Sequence, residues 1–503
     1  MKKITLSLFA AMAATCALAQ GNLDATIQSG NSNNAVVFQQ GLTNVNGILQ
    51  VGDENKANVY QKGGANENTT VSLGLRNEVD VDQVGNLNEA DQYQLGSRNF
   101  AKVDQKGRTI FGGTSNKSDQ DQLGSDNRAY VTQIGRLNDA IQYQSGDWNY
   151  ASSLQDGTSN KSDQKQYGQL NSAYVDQDGT LHNAAQTQRG ASNYANSYQR
   201  GFRQTSTQTQ TGDDNVAQVN QYVGSLLLGG NTATQTQEGD DNFAYAWQSG
   251  RLNVSTQTQI GDDNDAYVTQ IGNSNTATQL QQGDENYASS YQSGDSNTST
   301  QTQMGDDNDA YVVQLGNSNQ ATQYQSGSNN LADANQSGNS NIANQTQIGS
   351  SNEAYVDQDG SSNDAYQYQR GSSNYAMSKQ EGSSNRSIQN NIGDRNSADN
   401  SQIGDRNYLE QWQGGNDNTA FAFTMGNDNR VLQGQNGNNN VASAIQFGNS
   451  NFIHSSQTGN LNVSLNSQFG NSNTILNGQS GASHVHFGLQ VGTSNYQSVN
   501  QQN

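Results

Sequence analysis

The sequence contains no proline and only one cysteine among its 503 residues. Proline has no backbone N–H, so its absence suits a chain in which every strand must donate hydrogen bonds to a ladder. The single thiol, Cys16, lies inside an N-terminal segment with the features of a secretory signal. We therefore expect a mature chain without disulfides and without thiolate metal sites.

Apolar and charged residues are also scarce. Hydrophobic residues make up 31% and charged residues 14% of the chain, and the mean hydropathy is −0.91. Such values are typical of disordered chains, but disordered chains are usually rich in proline, whereas this one combines 53 glycines with many Asn and Gln. The net charge of −21 predicts that nucleic acid is not a partner, because a polyanion gains nothing from phosphate contacts.

The N-terminus predicts export. Lys2 and Lys3 precede an apolar run over residues 4–18 that closes on Ala17-Leu18-Ala19. This is the pattern of a signal peptide over residues 1–19, cleaved before Gln20. The run is shorter than the roughly 20 residues of a spanning helix, so we expect a secreted protein that does not cross the membrane.

Glycine recurs with a fixed period. From Gly239 to Gly492 one falls every 11 residues without a miss, and the same spacing runs from Gly30 to Gly107 and from Gly124 to Gly212. Such self-similarity is the signature of a repeat architecture. Nearly all of residues 20–503 is therefore predicted to be one array of 42 units.

Each unit has the pattern Gly-x-x-Asn-x-Ala-x-x-x-Gln-x, as in the unit that starts at Gly261. Asn, Ala, the residue seven after the glycine and Gln share one parity, so on an extended strand they lie on one face. The Gly-x-x segment is rich in Asp, Asn and Ser, which are turn formers. One unit thus predicts one strand and one tight turn, with residues such as Tyr267, Thr269 and Tyr311 pointing outward.

A second period of 22 residues lies over the first, because alternate units carry an extra glutamine seven residues after the glycine. Two units therefore make one coil of strand, turn, strand and turn. The predicted fold is an all-β, amyloid-like β-solenoid of about 21 coils with two stacked parallel sheets. Insertions near 108–113 and 224–230 keep the phase of the 22-residue repeat, so they are predicted to lie in turns.

Stacked coils would place identical amides above one another, so that they hydrogen-bond along the axis as ladders. The predicted structural residues form three sets. The amide ladder comprises Gln259, Asn264, Gln270, Asn275, Gln281, Asn286, Gln292, Asn297, Gln303, Asn308 and Gln314. The second glutamine ladder comprises Gln235, Gln257, Gln279, Gln301, Gln323, Gln345, Gln367 and Gln389, and the turn glycines are Gly250, Gly261, Gly272, Gly283, Gly294, Gly305 and Gly316.

The repeated Gln-x-Gly-x-x-Asn-x-Ala-x-x-x-Gln, as over residues 259–270, resembles the curlin repeat of bacterial curli. The resemblance covers nearly everything after Gln20. It implies a functional amyloid subunit that passes an outer-membrane export machinery and polymerises into extracellular, cell-surface fibres of a biofilm matrix. The implied partners are further copies of the chain and related curlin subunits or a nucleator. Typical curlins are far shorter and carry a non-repeat export segment after the signal.

No catalytic, cofactor or metal site is predicted. Carboxylate pairs such as Asp306 and Asp307 are adjacent turn residues in water, and no nucleophile stands out, so we expect no enzyme activity. Calcium-binding β-rolls follow a nine-residue repeat, although weak calcium binding by turn aspartates stays open. The alternative function is a monomeric surface solenoid that acts as an adhesin by binding a glycan or another surface ligand on its outward Tyr and Asn rows.

Overall fold

The computed structural model describes residues 21–107, 114–223 and 229–502. The predicted signal peptide, Cys16, the insertion near 108–113 and most of the insertion near 224–230 lie outside these residues. The described residues form 43 strands and no helix, so none of them forms a helix long and apolar enough to cross a membrane. The chain divides into two compact units, Met1–Leu252 and Asn253–Asn503.

The first unit contains ten coils. Its odd-numbered strands form one parallel sheet and its even-numbered strands a second. The odd strands are β1 (Leu23–Ser29), β3 (Val45–Asp53), β5 (Glu67–Leu75), β7 (Glu89–Ser97), β9 (Lys117–Ser125), β11 (Asp139–Asp147), β13 (Lys161–Gln169), β15 (Asn183–Ala191), β17 (Thr205–Thr211) and β19 (Thr232–Glu238). The even strands are β2 (Asn34–Leu42), β4 (Lys56–Gly64), β6 (Glu78–Asn86), β8 (Phe100–Lys106), β10 (Arg128–Arg136), β12 (Tyr150–Thr158), β14 (Ser172–Thr180), β16 (Tyr194–Phe202), β18 (Val216–Tyr222) and β20 (Phe243–Arg251).

The second unit contains eleven coils and one further strand. Its odd strands are β21 (Val254–Ile260), β23 (Thr276–Gln282), β25 (Thr298–Met304), β27 (Gln320–Ser328), β29 (Ile342–Ser350), β31 (Asp364–Ser372), β33 (Arg386–Ile392), β35 (Tyr408–Gly414), β37 (Arg430–Asn436), β39 (Phe452–Asn460), β41 (Thr474–Ala482) and β43 (Tyr496–Gln502). Its even strands are β22 (Asp265–Asn273), β24 (Tyr287–Ser293), β26 (Asp309–Asn317), β28 (Leu331–Asn339), β30 (Glu353–Ser361), β32 (Tyr375–Ser383), β34 (Ser397–Ile403), β36 (Thr419–Met425), β38 (Val441–Phe447), β40 (Val463–Asn471) and β42 (Val485–Thr493).

Strand pairing within each unit is parallel and in register with the 22-residue repeat. On β24 and β26, for example, Ala288 lies beside Ala310 and Gln292 beside Gln314. Where the chain carries extra residues the register shifts by that number only, so Gln94 of β7 pairs with Gln122 of β9. The predicted parallel β-solenoid of about 21 coils with two stacked sheets is confirmed.

The core lies between the two sheets and is thin. In a typical strand such as β22, Ala266, Val268 and Gln270 are buried while the alternate residues are partly exposed, as the predicted parity requires. The apolar part of this core consists mainly of Ala and Val, for instance where Val312 and Val356 of even strands pack against Ala321 and Ala343 of odd strands. Most of the remaining buried side chains are Asn and Gln, so the stability of the fold depends on how their amides are paired.

Candidate functional site

The asparagine at the start of each strand fixes the turn to the coil beside it. Oδ1 of Asn264 accepts the backbone N–H of Asn286 at 3.1 Å and its Nδ2 at 3.0 Å. Nδ2 of Asn264 donates to the carbonyl oxygen of Gly283 at 2.7 Å. Each such asparagine therefore joins a backbone donor, a backbone acceptor and a neighbouring amide, which is nearly the full capacity of the side chain.

The glutamine at the end of each strand forms a ladder along its sheet. Nε2 of Gln270 donates to Oε1 of Gln292 at 2.9 Å, and Nε2 of Gln292 to Oε1 of Gln314 at 2.8 Å. The second proton of the Gln270 amide goes to the carbonyl oxygen of Val254 on the preceding strand, at 3.0 Å. This ladder thus ties the two sheets together as well as the coils.

The extra glutamines of the odd strands form a further ladder in the middle of the core. Gln279 donates to Gln301 at 2.8 Å, and Gln301 to Gln323 at 3.0 Å. Gln301 also donates to the carbonyl oxygens of Ser289 and Ala310, which lie on the two even strands that flank it in the chain. Most even strands place Val, Ala or Ser at this position, so most layers of the core set one amide against a small side chain.

The glycine that opens each turn is required for two separate reasons. Gly283 has a φ of +118°, a conformation that L side chains rarely adopt. A Cβ added to Gly283 would in addition collide with the carbonyl oxygen of Gly305 in the next coil. The residue two positions after the glycine is left-handed as well, as Glu54 with a φ of +57° and Glu285 with a φ of +56° illustrate.

The structure brings the predicted residues into these contacts. Ladder hydrogen bonds link Gln259, Gln281 and Gln303 at 3.0 Å each, and Asn275 and Asn297 at 3.1 Å. In the second ladder Gln323, Gln345, Gln367 and Gln389 follow one another at 2.8–3.0 Å. Gln257 donates to Gln279 at 3.0 Å, and in the first unit Gln235 accepts from Gln208 at 3.0 Å. The predicted turn glycines all have positive φ: Gly250, Gly261, Gly272, Gly283, Gly294, Gly305 and Gly316.

The ladders also show how the fold tolerates irregular units. Asn391 and Thr424 occupy positions where the repeat has glutamine, and Oε1 of Gln413 and of Gln446 then has no donor among the described residues. These interruptions are isolated, and the strands around them keep their register. A single missing rung is therefore compatible with the fold when its neighbours are intact.

His182 replaces the asparagine of its unit and takes over part of its bonding. Its Nδ1 accepts the backbone N–H of Gln204 at 3.2 Å, and its Nε2 lies 3.3 Å from the carbonyl oxygen of Asp178. The imidazole is fully buried, and this burial lowers the pKa of His182 to about 4. A neutral ring with a proton on Nε2 satisfies both contacts.

Sequence reasoning missed the coil-to-coil contacts on the outer surface. Arg395 pairs with Asp417 and Arg406 with Asp428, each 22 residues apart, at 2.7 and 2.8 Å. On the even face of the first unit, aromatic rings follow one another with centroids 5.2–5.5 Å apart: Phe100, Tyr130, Tyr150, Tyr174 and Tyr194. A search of the sequence at a spacing of 22 residues would have found the ion pairs.

The outer surface offers no evident metal centre. Within residues 21–107, 114–223 and 229–502, no three His, Cys, Asp or Glu side chains come together as a group that could hold a metal ion. Some turn carboxylates lie next to a like charge in the neighbouring coil: the pKa of Glu285 is raised, chiefly by the charge of Asp307. The described side chains thus provide contacts between coils.

The comparisons with known proteins agree with this geometry. The family model described as the curlin associated repeat matches residues 74–107, 239–272 and 305–338. A search of curated proteins found no match. The third matched segment, 305–338, contains the Gly305 turn, Asn308, Gln314 and Gln325, whose bonds to neighbouring coils are of the same kinds as those described above. Three segments of the chain therefore match the curlin associated repeat.

Proposed function

We propose that this protein is a structural subunit of extracellular amyloid-like fibres, in which successive copies stack as the coils within one chain do. The observation that carries the proposal is the direction of the ladders. Each intact rung donates from Nε2 of one glutamine to Oε1 of the glutamine in the next coil, so the same pattern repeats from coil to coil. A coil of another copy could extend the pattern at either end.

The first and last described coils carry complementary groups. Gln28 and Gln39 donate to Gln50 and Gln61, and no donor to their own Oε1 lies within the described residues. Gln501 accepts from Gln479 at 2.9 Å, and its Nε2 reaches only the carbonyl oxygen of Val485, at 3.2 Å. One end thus offers acceptors and the other donors, which favours a head-to-tail contact; such contacts generate open filaments.

Backbone groups on β43, at the second end, also favour contact with another copy. Within the sheets the first residue of each strand donates its N–H toward the next coil, as Thr474 does to the carbonyl oxygen of Asn495 at 2.8 Å. On β43 the equivalent residue is Tyr496, and alternate residues of a parallel strand share one direction. Ser498 and Asn500 therefore direct their N–H groups away from β41, toward an edge at which the described residues place no strand. Open edges of this kind template further strands.

The curlin-repeat matches support the proposed setting. Curlin repeats support a role in cell-surface fibres of a biofilm matrix and in surface adhesion, with other copies, related curlin subunits or a nucleator as partners and an outer-membrane machinery for export. A structural role without catalysis agrees with side chains that are occupied in contacts between coils. The many turn carboxylates would keep unassembled chains apart through charge repulsion.

The alternative of a monomeric glycan-binding adhesin has less support. Sugar rings stack on open aromatic faces, whereas rings such as Tyr150 and Tyr174 lie 5.2 Å apart and cover one another along the coil direction. Outward tyrosines of this kind stabilise neighbouring coils. We therefore propose that the main role of the tyrosine rows is to stabilise the fold.

Assembly is best tested by sedimentation and electron microscopy after the chain is diluted from denaturant at neutral pH. Dye fluorescence alone is insufficient, because one chain already presents stacked strands to a dye. Unbranched fibres that sediment and whose growth is accelerated by added fibre fragments would support the proposal. A β-rich chain that remains monomeric at high concentration would refute it and favour the adhesin.

A further inference from the structure

The charges of this chain are distributed unevenly. All 24 basic and 45 acidic residues lie at or before Arg430, and residues 431–503 contain no Asp, Glu, Lys or Arg. The even strands β38, β40 and β42 lie in this neutral part, and β36, which precedes Arg430, contains no charged residue either. Their outer face therefore differs from the rest of the even sheet of the second unit.

This outer face, here called the neutral face, consists of sixteen side chains in four rows. The pairing register places Phe421, Ser443, Leu465 and Phe487 in one row and Phe423, Ile445, Ser467 and Leu489 in the next. The remaining rows are Thr419, Val441, Val463 and Val485, and Met425, Phe447, Phe469 and Val491. Thirteen of the sixteen are apolar and none is charged.

The apolar side chains are accessible. Phe487, Leu489 and Val491 expose 70%, 66% and 70% of their surface, and Met425, Phe469 and Val485 are also exposed. The rings of Phe447 and Phe469 stack with centroids 5.2 Å apart and only 6° between their planes, which gives this part of the face an even surface. An apolar patch of this extent on a secreted chain marks an interaction site.

Acidic side chains on the neighbouring strands of the same sheet oppose the association of two copies through those strands. The outer face of β22 through β34 carries eight carboxylates and one lysine, Lys379, which pairs with Glu381 at 2.8 Å. The carboxylates are Asp265, Asp309, Asp333, Glu353, Asp357, Asp359, Glu381 and Asp399. Two such acidic faces repel, so the neutral face is where two copies of this chain can approach each other through their even sheets.

We infer that the neutral face binds the neutral face of a second copy, side by side, and thereby bundles fibres laterally. The inference rests on the proposed fibre function. Four strands spaced about 4.8 Å apart, each with seven residues of about 3.3 Å, give a contact area of roughly 450 Å² for each partner. A standard stable interface buries roughly 800 Å² for each partner. One pair of faces thus binds weakly, whereas many pairs presented along two fibres bind by avidity.

The test compares fibres of the full chain with fibres of Ile445→Lys and of Val313→Lys. Ile445 on β38 and Val313 on β26 are both partly buried and occupy the same position in their strands. Each substitution adds one positive charge. Electron microscopy and small-angle scattering give the number of fibres in a bundle. We expect bundles for the wild type and for Val313→Lys, and single fibres for Ile445→Lys up to at least about tenfold higher fibre concentration.

Ile445→Thr keeps a β-branched side chain and should give an intermediate loss of bundling, and the far-UV circular dichroism of each variant reports whether it folds. Equal bundling of all variants, or none in the wild type, would overturn the inference. Flotation of the wild type but not Ile445→Lys with neutral phosphatidylcholine vesicles would overturn it in favour of a lipid partner. If no fibres form at all, the proposed function fails separately. Sedimentation at high protein concentration then tests the pairing of neutral faces. A wild-type dimer that is lost in Ile445→Lys would support the pairing, and monomers for both chains would oppose it.

Discussion

Asn286 donates both its backbone N–H and its side-chain Nδ2 to one atom, Oδ1 of Asn264, which lies 22 residues earlier in the chain. The same relation joins Asn308 to Asn286 at 3.1 Å for both donors. A single acceptor thus holds the start of the next strand and the next side chain in place. This contact makes the asparagine row the element that sets the register between coils.

Replacing one asparagine of this row should therefore be costly. Asn286→Ala leaves the backbone N–H and Nδ2 of Asn308 without their acceptor in the core, and we expect a loss of about 2–4 kcal/mol in the free energy of unfolding. Urea denaturation followed by circular dichroism measures it. Ser289→Ala on the outer side of the same strand is the control and should cost less than about 0.5 kcal/mol. Equal effects of the two substitutions would contradict the assigned role.

The central glutamine ladder predicts non-additivity. Gln301→Val leaves Nε2 of Gln279 and Oε1 of Gln323 without their partners, at an expected cost of about 2–3 kcal/mol. Gln323→Val removes the same bond between Gln301 and Gln323, so the double variant loses this bond only once. The two changes together should therefore cost about 1 kcal/mol less than the sum of the single changes in a double-mutant cycle. Strict additivity would mean that these amides do not act as a ladder.

Turn glycines should not tolerate a side chain. Gly283→Ala forces a Cβ against the carbonyl oxygen of Gly305 at a φ of +118°, and we expect a loss of at least about 3 kcal/mol. Gly434 on β37 is the matched control, because a Cβ there meets nothing within 4 Å. Gly434→Ala should be neutral or stabilise by up to about 1 kcal/mol. Thermal melts of the two variants separate these outcomes.

His182 gives the fold a defined pH dependence. Burial lowers its pKa in the folded state to about 4, below its ordinary value of 6.5. Between pH 6.5 and 4 the unfolded chain therefore binds a proton that the folded chain does not, so stability falls as the pH is lowered through this window, by up to about 3 kcal/mol. Above pH 6.5 the residue has no such effect.

The variant His182→Asn restores the asparagine of the repeat and should remove this contribution. The difference in unfolding free energy between the variant and the wild type should be larger at pH 4 than at pH 7, while the carboxylates contribute equally to both chains. A pH-independent difference for His182→Asn would show that the imidazole is not held neutral.

The sequence was sufficient to predict the coil, because its two periods determine which residues share a face. The alternation of Gln257 with Val268 predicted two unlike sheets, and the glycine spacing predicted the turns. These features follow from strand geometry alone, since a shift of one residue would bury the outward side chains. For the same reason the irregular unit at His182 could be aligned with its neighbours.

Other features depend on contacts that no period reveals. The bond from Nδ2 of Asn264 to the carbonyl oxygen of Gly283 requires the turn conformation, in which two of the three residues have positive φ. The packing of Val312 and Val356 against Ala321 and Ala343 depends on how the two sheets face each other. The lack of charged residues after Arg430 is visible in the sequence, whereas the exposure of Phe487, Leu489 and Val491 on the neutral face is seen only in the structure.

The central claim, that copies stack through the edge of β43, is tested most directly by seeded growth with Ser498→Pro. The substitution removes an N–H that points away from β41, so it should leave the folded chain intact while it blocks that edge. The variant should add to existing fibres at one end only and should cap them, so that elongation falls at least about tenfold relative to Ser498→Ala. Elongation at the rate of Ser498→Ala, with both variants equally folded, would contradict the account.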